Sequence, residues 1–464
     1  MELKINPERL AGLTQSEKNQ LAQLLKVYAE HEYKNQEKEK YYEGKISLNE
    51  VNLGLALPQG IRGLEIGCAW GAKTVDVLAA RSMFDGFVGA QGESVEELDR
   101  IVEANGLTAA YMKACRDELK FGHVLATLSA DSKSGCKIRF HSPKTSAALW
   151  DGEKGRINCG FAIIDTAPDD SKATTWSPSL VNFYTDGAII VLTRNVNNWA
   201  AKRYPHKMGR PLMEPLIWNA TSGKPFGRSR LKEPIRRLIQ GFVRTMANAS
   251  IALEFSTAPQ KYILGVTSKQ YEALVNTKFQ QYVGSILTAT DNPETGKTPS
   301  FGQLPQGTIS PHIEQLRALA TQFSAATGLP VTDTGVINDA NPTSSDAIEA
   351  QTKTLVGMAE ELNAGNAEAL KNIALMALAI ANNKKLEELD DKQRDIVAHF
   401  KNPAMPSVAA TADAAIKIAS GRPSFAQTDI YLEMIGFSKA DIRRIKAEEQ
   451  KARGLSLVEE LENG

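Results

Sequence analysis

The segment with the most chemical promise runs Gly67-Cys68-Ala69-Trp70-Gly71-Ala72-Lys73-Thr74. It nearly spells the phosphate-binding loop G-x-x-x-x-G-K-[ST], in which backbone N–H groups wrap a phosphate and the lysine reaches its outer oxygens. Leu64 and Ile66 give it a short apolar lead-in, and Phe161-Ala162-Ile163-Ile164-Asp165 resembles a strand ending in a magnesium-holding aspartate. Two features oppose this chemistry. Ala72 stands where the loop needs a second glycine free of steric limits, and no alternating strand–helix series follows, as a parallel sheet would demand.

Leu64-Glu65-Ile66-Gly67-Cys68 is also similar to the glycine-rich turn of methyltransferases that bind S-adenosylmethionine, although Trp70 would crowd that cofactor. A nucleotide- or S-adenosylmethionine-using enzyme built on Gly67–Thr74 is therefore the alternative reading. The plainer one is a strand or turn leading into a helix from Lys73 to Ala80, with Trp70 in the core. The six histidines show no HExxH or HxxH spacing, and Asp169-Asp170 and Asp390-Asp391 suit turns or helix starts better than metal ligands. Cys68, Cys115, Cys136 and Cys159 have no CxxC spacing, which argues against zinc and suits small buried thiols in a reducing compartment. No Ser/His/Asp or Cys/His grouping stands out, so no catalysis, metal or cofactor is expected.

The elements that hold these residues follow from length and pattern. At 464 residues the chain exceeds one compact core, so several structural units are expected. Lys plus Arg equal Asp plus Glu at 54 each. A protein that grips DNA tightly is normally basic, because neutralising phosphates releases counterions. Neutrality excludes a repressor-like binder and leaves room for a protein past which DNA must slide. The longest apolar run, Ile373 to Ala381, is less than half of a bilayer span. The first residues, MELKINPERL, lack a secretory pattern.

Apolar spacing predicts helices over Gln15–Glu39 (Leu21, Leu24, Leu25 and Tyr28 on one face), Val95–Asn105 and Thr108–Lys120, with Gly106 as a C-cap. A period of two predicts strands at His123–Ala130, Cys136–His141, Arg156–Asp165 and Ala188–Thr193, before a Pro/Gly-rich stretch from Tyr204 to Gly227. Pro234 belongs in a first helical turn, so a long helix starts there and runs to about Glu254, burying Leu238, Phe242 and Met246 among others. Residues 256–310 are mixed, with strand-like pieces at Gln260–Val266 and Gly284–Thr288, and Pro311 opens a second helix to Thr327. After a polar turn from Ile337 to Ser345, helices are expected at Ala347–Leu362, Ala367–Asn382, Asp390–Phe400, Ala409–Ala419, Gln427–Ile435 and Lys439–Arg453.

Several separated segments resemble the portal family of long-tailed (siphophage-type) bacteriophages, in the family's order. Tyr41-Tyr42-Glu43-Gly44 resembles its opening block. Ala69-Trp70, Val75-Asp76-Val77-Leu78-Ala79-Ala80-Arg81 and Asp85-Gly86-Phe87 resemble its "NW…VDxLAxRL…GF", with Ala69 and Ser82 as departures. The most specific is Lys224-Pro225-Phe226-Gly227-Arg228-Ser229-Arg230, similar to "HPFGRSRI" with lysine for histidine. Ala258–Gly265, Thr327-Gly328-Leu329-Pro330, Asn341–Ile348, Thr411–Ala414 and Leu432–Gly436 complete the ordered set, over roughly residues 40–455.

The resemblance implies an α+β, portal-type subunit. It has a mixed α/β wing (1–228), a helical-hairpin stem (229–255 and 311–328) carrying an inserted clip (256–310), a wing return with a tunnel loop (329–403, loop 337–346) and a helical crown (404–464). It implies a structural role at the capsid vertex of a virion, in a homo-oligomeric ring of about twelve subunits, assembled in the host cytoplasm with no membrane contact. Double-stranded DNA passes through such a ring during packaging and ejection. The expected partners are the terminase large subunit, a head-completion or connector protein, and a scaffold or major capsid protein. By the same resemblance Asn338, Asp339, Asn341, Thr343 and Ser344 face DNA. Lys269 and Gln270 lie on the clip that docks terminase and connector. Leu238, Phe242 and Met246 pack between subunits.

Overall fold

A computed structural model describes residues 3–47, 66–89, 95–169, 172–195, 198–257, 261–269, 272, 291–292, 296–303, 308–336, 345–404, 408–437, 441–442 and 444–452. It divides into two compact units, Met1–Lys401 and Asn402–Gly464.

The first unit opens with α1 (Gln15–Glu43). Thr14 caps it in a reciprocal box with Glu17, and Gly44 closes it in the left-handed conformation. α1 serves two cores. Leu21, Leu24 and Tyr28 pack with Phe161, Phe183 and Ile190, whereas Tyr41 joins a larger core with Trp70, Leu78 and Tyr111. The smaller core lies on a five-stranded antiparallel meander, β4 (Ser146–Asp151), β5 (Arg156–Asp169), β6 (Lys172–Tyr184), β7 (Ala188–Asn195) and β8 (Asn198–Pro205).

The larger core is built by α2 (Trp70–Ala79), α3 (Glu96–Asn105), α4 (Leu107–Phe121) and a three-stranded sheet. That sheet has the order β3 (Gly135–His141), β2 (His123–Asp131), β9 (Met213–Ile217). Gly106 takes the left-handed C-cap conformation between α3 and α4, as the spacing predicts. Two helices, α5 (Glu233–Thr257) and α6 (Ser310–Thr327), form a hairpin, and between them β10 (Lys261–Leu264) pairs with β11 (Ser300–Gln303). α7 (Ser345–Ala381) then runs through the larger core, and β12 (Ile396–Phe400) returns to pair with β1 (Phe84–Gly89). Every strand pair among the described residues is antiparallel.

Three expectations need correction. The helices drawn over Ala347–Leu362 and Ala367–Asn382 are one helix. Asn363 and Asn366, which suggest a break, have tertiary partners: Ser82 Oγ donates to Asn363 (2.6 Å), and Asn366 donates to Tyr111 (2.9 Å) and Glu118 (2.8 Å). Their amides therefore do not compete with the helical backbone. The helix drawn over Asp390–Phe400 is one helical turn, Asp391–Arg394, followed by β12, whose ladder partner lies some three hundred residues earlier. The Pro/Gly-rich stretch after Tyr204 contains β9, where Pro215 is tolerated because β9 pairs on one side only. β6 is hidden similarly by Pro178, which sits at a register shift in its pairing with β5. The strand expected at Gly284–Thr288 lies outside the described residues.

The second unit holds α8 (Val408–Gly421) and α9 (Asp429–Ile435), with Phe425 set edge-on to Tyr431 at 5.9 Å and Lys446 paired to Asp429 at 2.6 Å. These are the helices expected at Ala409–Ala419 and, slightly shorter, Gln427–Ile435.

Candidate functional site: the root of the helical hairpin

α5 and α6 meet along Ile239, Val243 and Ala247 on one side and Leu319, Ala320 and Phe323 on the other, all buried. Gly241 permits the close approach, since a Cβ there would stand 3.2 Å from a Leu319 methyl. Among the described residues, buried positions stop at Ala247 on α5 and start at Leu319 on α6. The outer parts of both helices leave the core, with Ile313 47% and Leu253 49% exposed.

The inner end is clamped by residues from two of the family-like sequence blocks. The Trp70 ring stacks on Phe323 (4.6 Å) and packs against Phe242 (4.5 Å), and its indole N–H donates to the Thr334 carbonyl at 3.0 Å. Arg230 is 5% exposed; it donates to the carbonyls of Thr74 (2.7 Å) and Thr327 (2.8 Å), tying α2 to the end of α6. Burial draws its pKa down to about 10, so it stays charged at neutral pH. Ser229 donates to the Lys120 carbonyl and accepts from the Leu231 N–H. Gly227 is left-handed (φ 66°), and a Cβ there would strike the Trp218 carbonyl.

This geometry also decides the glycine-rich segment. Its second half is the first turn of helix α2, where the Lys73 N–H already donates to the Ala69 carbonyl at 2.9 Å. Gly71 is pressed against α1 where a Cβ would strike the Tyr41 carbonyl, and Thr74 is fully buried with its hydroxyl on the Trp70 carbonyl. On that side Gly71 leaves no room for a ligand. Asp165 is exposed on β5, in the meander that packs on the other core. The helix with Trp70 in the core is the form found. Among the described residues no group of three acidic, histidine or cysteine side chains is placed to hold a metal. The four cysteines are free and buried.

The structure places Leu238, Phe242 and Met246 half-buried on α5, where Leu238 and Phe242 pack against the subunit's own core. Lys269 is exposed beyond β10. Gln270, Asn338, Asp339, Asn341, Thr343 and Ser344 lie outside the described residues. Sequence reasoning misses the clamp formed by Trp70 and Arg230 as a site; its signal is an arginine and a tryptophan inside otherwise apolar or glycine-rich blocks, which buried pairing explains.

With the clamp and hairpin in place, a family model adds the decisive observation. The model described as "Phage portal protein, SPP1 Gp6-like" matches residues 23–454. The chain belongs to this portal protein family. The family is a structural one, not a family of enzymes. Among solved structures the chain is similar to one from the "Neck of empty GTA particle computed with C6 symmetry", at 11% identity and TM-score 0.45, covering 76% of this chain and 86% of that one. It is also similar to one from the "Neck of native GTA particle computed with C12 symmetry", at 12% identity and TM-score 0.43, covering 79% and 89%. No curated protein matches it in sequence. No helix among the described residues is long and apolar enough to cross a membrane.

Proposed function

We propose that this chain is one subunit of a ring, about twelve-fold, that holds the capsid vertex and passes double-stranded DNA during packaging and ejection. The observation that carries this is the portal-family match over residues 23–454, on a chain whose α5–α6 hairpin is clamped at its inner end. Ile313 is 47% exposed on the outer part of α6, and a second copy of the same hairpin would cover it by a repeating head-to-tail contact, which gives a ring where its rotation closes. In this reading residues 1–228 and 329–403 make the wing, 229–255 and 311–328 the stem, 256–310 the clip and 404–464 the crown.

The loop 337–346, with Asn338, Asp339, Asn341, Thr343 and Ser344, is proposed to face DNA. It contains no Lys or Arg, which suits sliding past phosphates without binding them. Lys269 and Gln270 are proposed to dock the packaging terminase and later the connector protein. A scaffold or capsid protein would contact the wing during assembly in the host cytoplasm. Native mass spectrometry and low-resolution electron microscopy test the central claim. Wild-type protein should form closed rings, and Ile313→Glu should give folded subunits that do not close. A monomer or dimer at assembly concentrations, or intact Ile313→Glu rings of wild-type stability, would overturn it. Phe242→Glu is a poorer probe, because Phe242 also lies against Trp70 inside the subunit.

A further inference from the structure

A cavity of about 470 Å³ opens between α1, the start of β2, β4 and the segment 224–229. Lys34, Lys38, Lys224 and Arg228 line it, with His31 and His123, and among the described residues no carboxylate does. That is a departure in a chain whose charges otherwise balance. The acids flanking Lys38 are committed elsewhere, Glu37 to Arg236 and Glu39 to Lys144 and Lys120. Among the described residues none of the four lining cations is paired with a carboxylate.

The cavity is also firmly built. The Lys38 ammonium donates to the Phe121 carbonyl at 3.0 Å and to Asn35 at 3.4 Å, and Asn35 donates to the Pro143 carbonyl at 3.4 Å. Tyr28 donates to the Lys144 carbonyl at 2.7 Å. Phe226 packs on His123 at 4.9 Å and on Trp150 at 5.8 Å. A Cβ on Gly122 would stand 3.1 Å from the backbone of Arg228 and Ser229, so this wall lies directly against the residue that leads into β2. Burial, then the nearby Arg236 and Lys34 charges, bring the Lys38 pKa down to about 8. The charged side chains of the lining are all basic, while Glu30 acts on His31 and Glu32 on Tyr28 from outside it.

We infer that this cavity binds a small organic phosphate, a phosphate ester on a planar ring of about mononucleotide size. Four unpaired cations exceed what a single carboxylate needs and suit a dianion. The rings of Phe121, Phe226 and Tyr28 offer apolar and stacking surface for the attached group. This inference does not rest on the ring assignment, since every lining residue comes from one subunit.

Isothermal titration of the full chain at low salt would test it, with adenosine 5′-monophosphate, inorganic phosphate, adenosine and an acidic peptide as probes. The nucleotide should bind saturably with a Kd below about 1 mM. Inorganic phosphate and adenosine should each bind at least ~10-fold more weakly, having lost the ring or the charge. Lys224→Ser, at an exposed position, and Lys38→Met should each weaken the nucleotide at least ~10-fold, whereas Lys73→Ser on α2 should not. Thermal midpoints without ligand show whether Lys38→Met folds, and if it does not, Lys224→Ser decides. No saturation by ~10 mM nucleotide, unchanged affinity in Lys224→Ser, equal binding of inorganic phosphate, or binding of the peptide alone would overturn the inference.

Discussion

Glu118→Gln is expected to stabilise the subunit at neutral pH and to leave its stability nearly unchanged at pH 4.5. Glu118 is fully buried on α4, and burial raises its pKa from 4.5 to about 8, against a smaller opposing effect of its hydrogen bond from Asn366. No cation is paired with it among the described residues, and its Oε1 has no protein partner there. Below about pH 4.5 the carboxyl is protonated in both folded and unfolded chains, and stability is fully present. As pH rises towards 8 the unfolded chain releases a proton that the folded chain retains, so stability is progressively lost. At pH 7 the difference is about 2.5 pK steps at 1.36 kcal/mol each, or about 3 kcal/mol at most. Glutamine mimics the protonated acid and does not titrate, so it should recover about 1–3 kcal/mol of this. Urea unfolding of wild type and variant, followed by circular dichroism from pH 4.5 to 8, measures the difference directly. The gap should open with pH and approach zero at pH 4.5. A pH-independent gap, or a variant less stable at pH 7 than at pH 4.5 relative to wild type, would mean that the carboxylate is ionised in the fold and would refute the reasoning.

Trp70→Ala should cost about 3–5 kcal/mol by removing a ring held between Phe242 and Phe323, read as a lower urea midpoint. Arg230→Met should cost about 2–4 kcal/mol, because it removes the side-chain donors that the buried Thr74 and Thr327 carbonyls accept; hydrogen exchange should rise first at the end of α6. The thiols of Cys68, Cys136 and Cys159 are raised by burial to about 11, about 12 and about 12, and Cys115 higher still. All four should therefore resist iodoacetamide at pH 7.5 in the folded chain and react after unfolding, as mass spectrometry would show.

Elements whose information is local are legible in the sequence alone. α1, α3, α4, α5 and α6 follow from apolar spacing with Gly106, Pro234 and Pro311 as punctuation, and β2, β3, β5 and β7 from alternation. The family is legible too, because short blocks such as Lys224–Arg230 keep their order along the chain. What stays hidden depends on distant partners. β12 needs β1 to be a strand, and α7 runs unbroken because Asn363 and Asn366 reach Ser82, Tyr111 and Glu118.

The same division holds for the site. Gly67–Thr74 carries nearly the letters of a phosphate loop, but how closely a ligand could approach Gly71 is settled by what packs against it, namely α1. Lys34 and Lys38 lie on α1 and Lys224 and Arg228 nearly two hundred residues later, so no window of sequence shows that they line one cavity. Periodicity and capping act over a few residues and leave a mark in the sequence itself. Strand pairing, the burial of Glu118 and the meeting of four cations act across folded distance, and only the packed chain decides them.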